Sequence, residues 1–313
     1  MSTTVSTAFV NTFRSNILML AQQKGSRLAK AVRRETQSAN MDFYERVGEV
    51  DAQVITDRHG DTPILNTPHT RRAVTLVDAE YGDMIDKMDR VRLLINPDDA
   101  YTKAAVWALG RKKDDQIIAA ALGNAYGGVS GTTSTSLPST QKLAAHDGAT
   151  TTGVNLNVET LRKVAAKFDS NDVDPEMKRF FAFTSSQKQA LLAETEITSS
   201  DYNTVKALVM GEINTFMGFE FIRTERLPRN STDITYTVTT GVVGAGTGTI
   251  TAAKSRRCFA WIEDRLLLAT GKDTITRIAE RADKRFGTQI YVCQSVGSTR
   301  LEEVGVVEVD CSE

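Results

Sequence analysis

One stretch in the first half of the chain constrains the fold most, because it predicts a helix longer than a small domain can enclose. The sequence NPDDAYTKAAVWALGRKKDDQIIAAALGNAYGG starts at Asn96, a good N-cap, with proline at the first helical position. Helix-forming residues continue to Asn124, and two glycines end the element. At ~1.5 Å per residue, this spine helix over about 97–124 measures about 40 Å. Its centre, residues 111–116, is charged nearly all round, so we expect only its ends to enter cores.

A long β-hairpin is predicted before this helix. Residues 47–57, VGEVDAQVITD, alternate apolar and polar side chains, and residues 72–79, RAVTLVDA, supply the return strand. Two prolines and a glycine between them prevent regular pairing at the tip. A two-stranded ribbon is marginal in water by itself. Because this one carries few apolar residues, we expect it to lie on another subunit.

The hairpin tip, DRHGDTPILNTPHTRR (residues 57–72), gathers residue types that occur in active sites and metal sites. His59, Asp61 and His69 are the candidate metal ligands. The two histidines lie ten residues apart across two prolines, whereas metal-binding histidines are usually held at short spacing on rigid elements. We therefore expect no metal and no catalysis here, and predict inter-subunit contacts instead. The residues predicted to make them are Arg58, His59, Asp61, His69, Arg71 and Arg72.

The N-terminal segment combines an amphipathic pattern with basic residues. Residues 8–23 repeat apolar side chains with a helical period. If the helix continues, the basic residues that follow form a ridge, which is either a solvated face or an arm that touches a polyanion or another subunit. These residues are Lys24, Arg27, Lys30, Arg33 and Arg34.

The second half of the chain predicts a mixed region of helices and strands. Residues 127–153 are rich in Gly, Ser and Thr and are typical of a mobile connection. An amphipathic helix (VETLRKVAAKFDS), a buried strand (FFAFTS) and two further helices follow. Residues 230–254 predict a Thr/Gly-rich ribbon, and the tail from residue 274 returns to strand-like alternation. The order indicates a mixed α+β fold with a discontinuous first domain.

No enzyme signature is present in the sequence. The glycine-rich stretch GVVGAGTGTITAAKS lacks both the Walker spacing and the GxGxxG spacing, and Ser130 lacks a GxSxG elbow. We therefore assign no catalytic residue, cofactor or metal. The formal net charge of −1 favours no particular partner, and no apolar run approaches the ~20 residues that a membrane helix needs.

Three phrases resemble the major capsid proteins of tailed bacteriophages, which have the Hong Kong 97-type fold. They are MGEINTFMGFEFIRTERLP, where a helix ends and "GF" opens a strand, RFFAFTSSQKQALLAE, and the closing GSTRLEEVGVVEVDC. With the order of elements, the resemblance covers nearly the whole chain from Val47 onward. It implies an N-terminal arm, an extended hairpin called the E-loop, a peripheral domain with the spine helix, and an α/β axial domain. The implied ranges are 1–46, 47–81, 82–155 with 273–313, and 156–272.

The resemblance also implies the partners. Proteins of this family form pentamers and hexamers that tile an icosahedral shell around double-stranded DNA, so we expect non-specific DNA contact, assembly in the host cytoplasm and a place in the virion. Separate scaffolding, portal and decoration proteins are possible partners, and no membrane is. Because residues 47–80 contain no lysine, the isopeptide crosslink of some members is not expected. Two alternatives stay open: an encapsulin-like compartment and, from another class, a soluble metal-dependent hydrolase.

Overall fold

The computed structural model describes two compact units. The described residues are 22–54, 58, 64–86, 98–145, 154–171, 173–194, 215–238, 246–250 and 254–313. The first unit takes its described residues from 22–26, 77–113 and 271–296, and the second from 27–76, 114–270 and 297–313. None of the helices in these described ranges is both long and apolar enough to cross a membrane.

The first unit combines paired strands with the start of the long helix. Its strands are β4, Val77–Ile85, and the larger parts of β14, Leu266–Arg281, and β15, Gly287–Arg300. Strand β1, Arg33–Thr36, belongs to the second unit and pairs with residues 267–270 of β14; the order in this sheet is β1-β14-β15-β4. Strand β15 pairs antiparallel with β4, which places Tyr291 opposite Gly82. Helix α1, Asp98–Leu122, lies in this unit as far as residue 113. Its apolar side chains complete a small core made of Ile85, Ala105, Leu109, Ile290 and Val292.

The second unit is built around a six-stranded sheet. Its order is β7-β16-β13-β8-β10-β9: Lys142–Ala144, Val306–Ser312, Ser255–Ile262, Arg179–Phe183, Phe219–Arg223 and Thr215–Phe216. The unit also contains helices α2, Val158–Asp169, and α3, Ser185–Ala193. Aromatic side chains fill the core, where Phe181 and Trp261 are fully buried. This burial of large apolar side chains supplies most of the force that holds the sheet.

A smaller sheet and a ribbon complete the second unit. The four-stranded sheet has the order β2-β3-β5-β6: Met41–Val47, His69–Thr75, Ala125–Gly127 and Thr133–Thr135. The ribbon pairs β11, Ile234–Val238, with β12, Gly246–Ile250. It lies within the range that the sequence predicted as a Thr/Gly-rich ribbon, so that prediction is confirmed.

Most of the strongly patterned elements are confirmed. The spine helix is observed as α1, and its predicted cap at residues 96–97 lies outside the described residues. The amphipathic helix is α2, the FFAFTS strand is β8, and the helix after it is α3. The predicted helix at 201–211 lies outside the described residues, as does the one at 8–23 except for residues 22–23, which are not helical.

The predicted hairpin is shifted toward the N-terminus. The first strand is Met41–Val47 instead of 47–57, and residues 48–54 form no strand. Pairing ends because Pro68, next to the last paired position, has no N–H to donate; its carbonyl accepts only the Gly48 N–H, at 2.8 Å. The return strand begins earlier than predicted, at His69, and the chain joins a different sheet at Val77.

Two other sequence predictions are wrong. Residues 127–144, taken as a mobile connection, contribute strands because β5 pairs with β3 and β7 pairs with β16. The helix does not continue through residues 24–34, where a turn leads into β1. Gly25 lies at φ +74°, in the left-handed region that ends regular helices.

The final strand belongs to the sheet of the second unit. Strand β16 lies between β13 and β7 in the six-stranded sheet. Its residues Val306, Val307 and Val309 are fully buried there. The tail thus returns to the second unit after β15.

Candidate assembly surface

A cluster of arginines lies at the base of the β2–β3 hairpin. In the antiparallel register Tyr44 faces Arg72 and Arg46 faces Thr70, so Arg46 and Arg72 occupy diagonal positions on one face. Arg72 is buried, and its Nη1 donates to the Thr135 hydroxyl at 3.0 Å. The hairpin therefore positions two guanidinium groups side by side.

The carboxylate of Glu303 pairs with the arginines of this cluster. Arg72 Nη2 donates to Glu303 Oε1 in a close contact, and Arg46 Nη1 lies 3.8 Å from Oε2. A third guanidinium, from Arg300, approaches to 3.9 Å through its Nε. Three guanidinium groups thus share the Glu303 carboxylate. Glu302 and Glu308 also act on Arg46 and Arg300, and each of these two acids is itself paired with another arginine.

Arg300 has a second role, at the C-terminal end of helix α1. Its fully buried guanidinium donates from Nη1 to the carbonyls of Ala121 at 2.8 Å and Gly123 at 3.0 Å. The last carbonyls of a helix have no partner within the helix, and a cation there also interacts favourably with the helix dipole. Arg300 therefore ties the end of the helix to the arginine cluster.

Burial leaves the cluster electrostatically under-compensated. Burial lowers the pKa of the Arg46 guanidinium, and the charge of Arg72 lowers it further, against the opposing effect of Glu303. Burial also lowers the pKa of Arg300. The buried Nε atoms of Arg46, Arg72 and Arg300 have no hydrogen-bond acceptor within the described part of the chain. Guanidinium groups stay charged in proteins, so deprotonation offers no relief.

A cavity of about 530 Å³ opens beside this cluster. Arg46, Arg72 and Glu303 line one side of it, and Thr70 and Thr133 add hydroxyl groups. Because Arg46, Arg71 and Arg72 line this open cavity, it can contact an anionic group.

Comparison with known proteins identifies the family. The sequence profile of the phage capsid protein family matches residues 5–313. The chain belongs to the phage capsid protein family. It is a structural major capsid protein, and neither the encapsulin-like nor the hydrolase alternative is favoured. A search of curated proteins gives no match.

Solved phage capsids share the fold of this capsid protein. The capsid of cyanophage P-SCSP1u is 16% identical, with a TM-score of 0.73 over 100% of this chain and 96% of its own. Cyanophage Pam1 is 13% identical, with a TM-score of 0.70 over 98% and 97%. The capsid of Helicobacter pylori bacteriophage KHP30 is 10% identical, with a TM-score of 0.71 over 100% and 98%. The mixed α+β chain has the Hong Kong 97-type fold that the resemblance implied.

The predicted contact residues of the hairpin occupy different environments in the capsid protein. Arg58 and His69 are exposed. Arg71 is half-buried, 5.6 Å from the centre of the Phe43 ring. Arg72 is buried within the chain, so its placement at an exposed tip is corrected: it lies in the middle of β3, between β2 and β5 in the sheet. His59 and Asp61 lie outside the described residues.

The basic N-terminal residues do not form one helical ridge. Lys24 lies 5.6 Å from the Trp107 ring centre, and Arg27 donates to the Arg223 carbonyl at 2.8 Å. Arg33 pairs with Glu35 at 2.7 Å, and Arg34 donates to a carbonyl of its own segment. Lys30 is exposed.

The metal-site hypothesis gains no support from the described residues. Within them, no group of three or more histidine, cysteine or acidic side chains is arranged to hold a metal ion. Two members of the predicted trio, His59 and Asp61, lie outside the described ranges.

The decisive residues of the cluster were missed by sequence reasoning. Arg46 stands two residues from Tyr44 in an alternating strand, which is the one local sign that it shares a face with the hairpin's other large side chains. Arg300 and Glu303 stand in the closing phrase that carried part of the resemblance, but nothing local links them to the hairpin. The pairing requires contacts between residues 231 positions apart, as for Arg72 and Glu303.

Proposed function

We propose that this capsid protein self-assembles through pentamers and hexamers into an icosahedral shell that encloses a double-stranded DNA genome. Shell formation is a binding function, and we infer that the chain has no catalytic role. Assembly takes place in the host cytoplasm, and scaffolding, portal and decoration proteins are candidate partners in it. The mature site of action is the virion.

One observation supports assembly more than any other: the hairpin carries apolar side chains beyond its paired part that remain exposed. Beyond the last pair, Val54 is 87% exposed and Ile64 is 95% exposed; Val47, in the last pair, is 66% exposed. Exposed apolar side chains on one segment mark an interaction surface. An unpaired extension of this kind needs a neighbouring surface to cover it, which a second copy of the chain supplies in a shell.

We further propose a division of labour along the chain. The hairpin acts as the E-loop. The N-terminal arm acts as its anchor, because β2 at the end of the arm pairs with β3. The first unit corresponds to the peripheral domain, and the six-stranded sheet corresponds to the axial domain. Lys30, Arg33 and Arg34, which are exposed, are candidates for non-specific contact with packaged DNA.

Replacement of residues 49–67 by a short Gly/Ser linker tests the proposal. The Gly48 N–H bonds the Pro68 carbonyl at 2.8 Å, so a linker can close the hairpin with β2 and β3 intact. The shortened protein is expected to fold with an unchanged circular dichroism spectrum but to sediment as small species. Shells formed as readily by this variant as by the full chain would contradict the proposed role of the hairpin.

A further inference from the structure

The arginine cluster has more positive charge than the Glu303 carboxylate neutralises. Arg46, Arg72 and Arg300 share Glu303, and the side chain of Arg72 is only 5% exposed. A buried charge is costly unless it is paired, and the buried Nε of Arg72 lacks an acceptor among the described residues. Arg72 lines the cavity, so an anion that enters the cavity can contact it.

The same hairpin carries two exposed acidic residues next to the cluster's strand. Glu49 and Asp51 follow directly after β2, in a stretch where residues 48–54 are all exposed. Neither forms a salt bridge within the described part of the chain. In an extended strand they lie on one side, with their Cα atoms about 7 Å apart. This spacing is similar to that of Arg46 and Arg72, because diagonal neighbours on paired strands lie about 7–8 Å apart.

We propose that the cavity binds the carboxylates of Glu49 and Asp51 from a second copy of this chain. The inference rests on the proposed function, since it names the contact that one hairpin makes with its neighbour. Docking would place two carboxylates against two guanidinium groups that share the Glu303 carboxylate within one chain.

Charge complementarity favours this occupant over a free anion. A phosphate ion brings one compact anionic group. A hairpin segment brings two carboxylates about 7 Å apart, one for each of the two neighbouring guanidinium groups. Each copy then contributes both a cavity and an acidic segment, which is the requirement for a repeating, heterologous contact.

The test uses the full chain with Glu49→Gln and Asp51→Asn combined. Both residues are exposed, so the folding of the subunit should be unaffected. The protein concentration at half-assembly, measured by light scattering and sedimentation, should rise about tenfold or more. Glu220→Gln with Glu280→Gln is the matched control; it removes two exposed carboxylates elsewhere and should assemble like the wild type.

Arg46→Gln provides the complementary half of a double-mutant cycle. If the carboxylates bind at this cavity, the two sets of substitutions are non-additive. The half-assembly concentration of the combined variant should then be within about twofold of that of Arg46→Gln alone. Additive effects would place the carboxylates elsewhere and overturn the inference. An unfolded Arg46→Gln would leave the decision to the acidic variant, whose assembly at the wild-type concentration overturns the inference by itself.

Two further outcomes separate the sources of failure. Inorganic phosphate, compared with chloride at equal ionic strength, should inhibit assembly of the wild type by competing for the cavity; stimulation of assembly would assign the cavity to phosphate and overturn the inference. A wild type that never assembles would overturn the proposed function and this contact together. Normal assembly of the acidic variant would overturn the contact alone.

Discussion

The carboxylate of Asp114, in the middle of the long helix, accepts a hydrogen bond from the backbone N–H of Leu28 at 3.1 Å. The two residues are 86 positions apart in sequence. Both carboxylate oxygens of Asp114 also lie 3.1 Å from the Arg27 nitrogen. The sequence predicted that the charged centre of the helix would stay outside the cores, yet Asp114 is fully buried. Backbone donors make this burial tolerable, and they fix the N-terminal segment to the helix.

Replacement of Asp114 by alanine is expected to lower the free energy of unfolding by about 2–3 kcal/mol, because two backbone N–H groups lose their acceptor. Urea unfolding followed by circular dichroism measures the change. Asp115→Ala is the control: its contact with Arg226, 2.6 Å long, is about one-third exposed and should contribute less than about 1 kcal/mol. Equal effects of the two substitutions would show that Asp114 has no anchoring role.

Gly110→Ala should destabilise the protein although alanine favours helices by about 1 kcal/mol. A Cβ at this position would lie 2.6 Å from the Gly25 Cα and 2.7 Å from its carbonyl carbon. Because backbone atoms cannot move aside cheaply, we expect a net loss of about 1–3 kcal/mol in urea unfolding. Gly82→Ala, whose nearest neighbour is the Gln289 side chain at 3.9 Å, should change little. Stabilisation by Gly110→Ala would contradict the close packing.

Asp310 should make stability depend on pH in the acidic range. Burial raises the pKa of Asp310 to about 6, against the hydrogen bond from Asn230. Since the unfolded chain has the lower pKa, the folded state binds the extra proton, and stability falls as pH rises from about 4 to about 6. The loss is at most about 3 kcal/mol.

Asp310→Asn imitates the protonated acid and tests this effect. The variant should unfold at a higher urea concentration than the wild type at pH 7.5, and the difference should shrink toward pH 4.5. Asp283→Asn is the control, because the hydrogen bond from Arg281 lowers the pKa of Asp283 to about 2, outside this window. A wild-type profile that Asp310→Asn leaves unchanged would exclude Asp310 as the source.

Local signals predicted the elements whose own residues determine them. Helix α1 has continuous helix formers, α2 has one apolar face, and β8 is a run of aromatic side chains. These patterns require no knowledge of a distant partner.

Elements defined by distant partners were not predictable in the same way. Residues 133–135 and 142–144 are too short to show a pattern, and they are strands because β5 and β16 supply their hydrogen bonds. The shift of the hairpin depends on which residues face each other across β2 and β3. The arginine cluster joins residues from both ends of the chain, so neither its charge excess nor its cavity has a sequence signature.

The central claim is that this capsid protein builds an icosahedral shell from pentamers and hexamers. Electron cryo-microscopy of the purified wild-type protein tests it most directly. We predict closed shells in which each hairpin lies on a neighbouring copy. Particles that remain monomeric under all conditions, or that form assemblies without five-fold and six-fold capsomers, would contradict the claim.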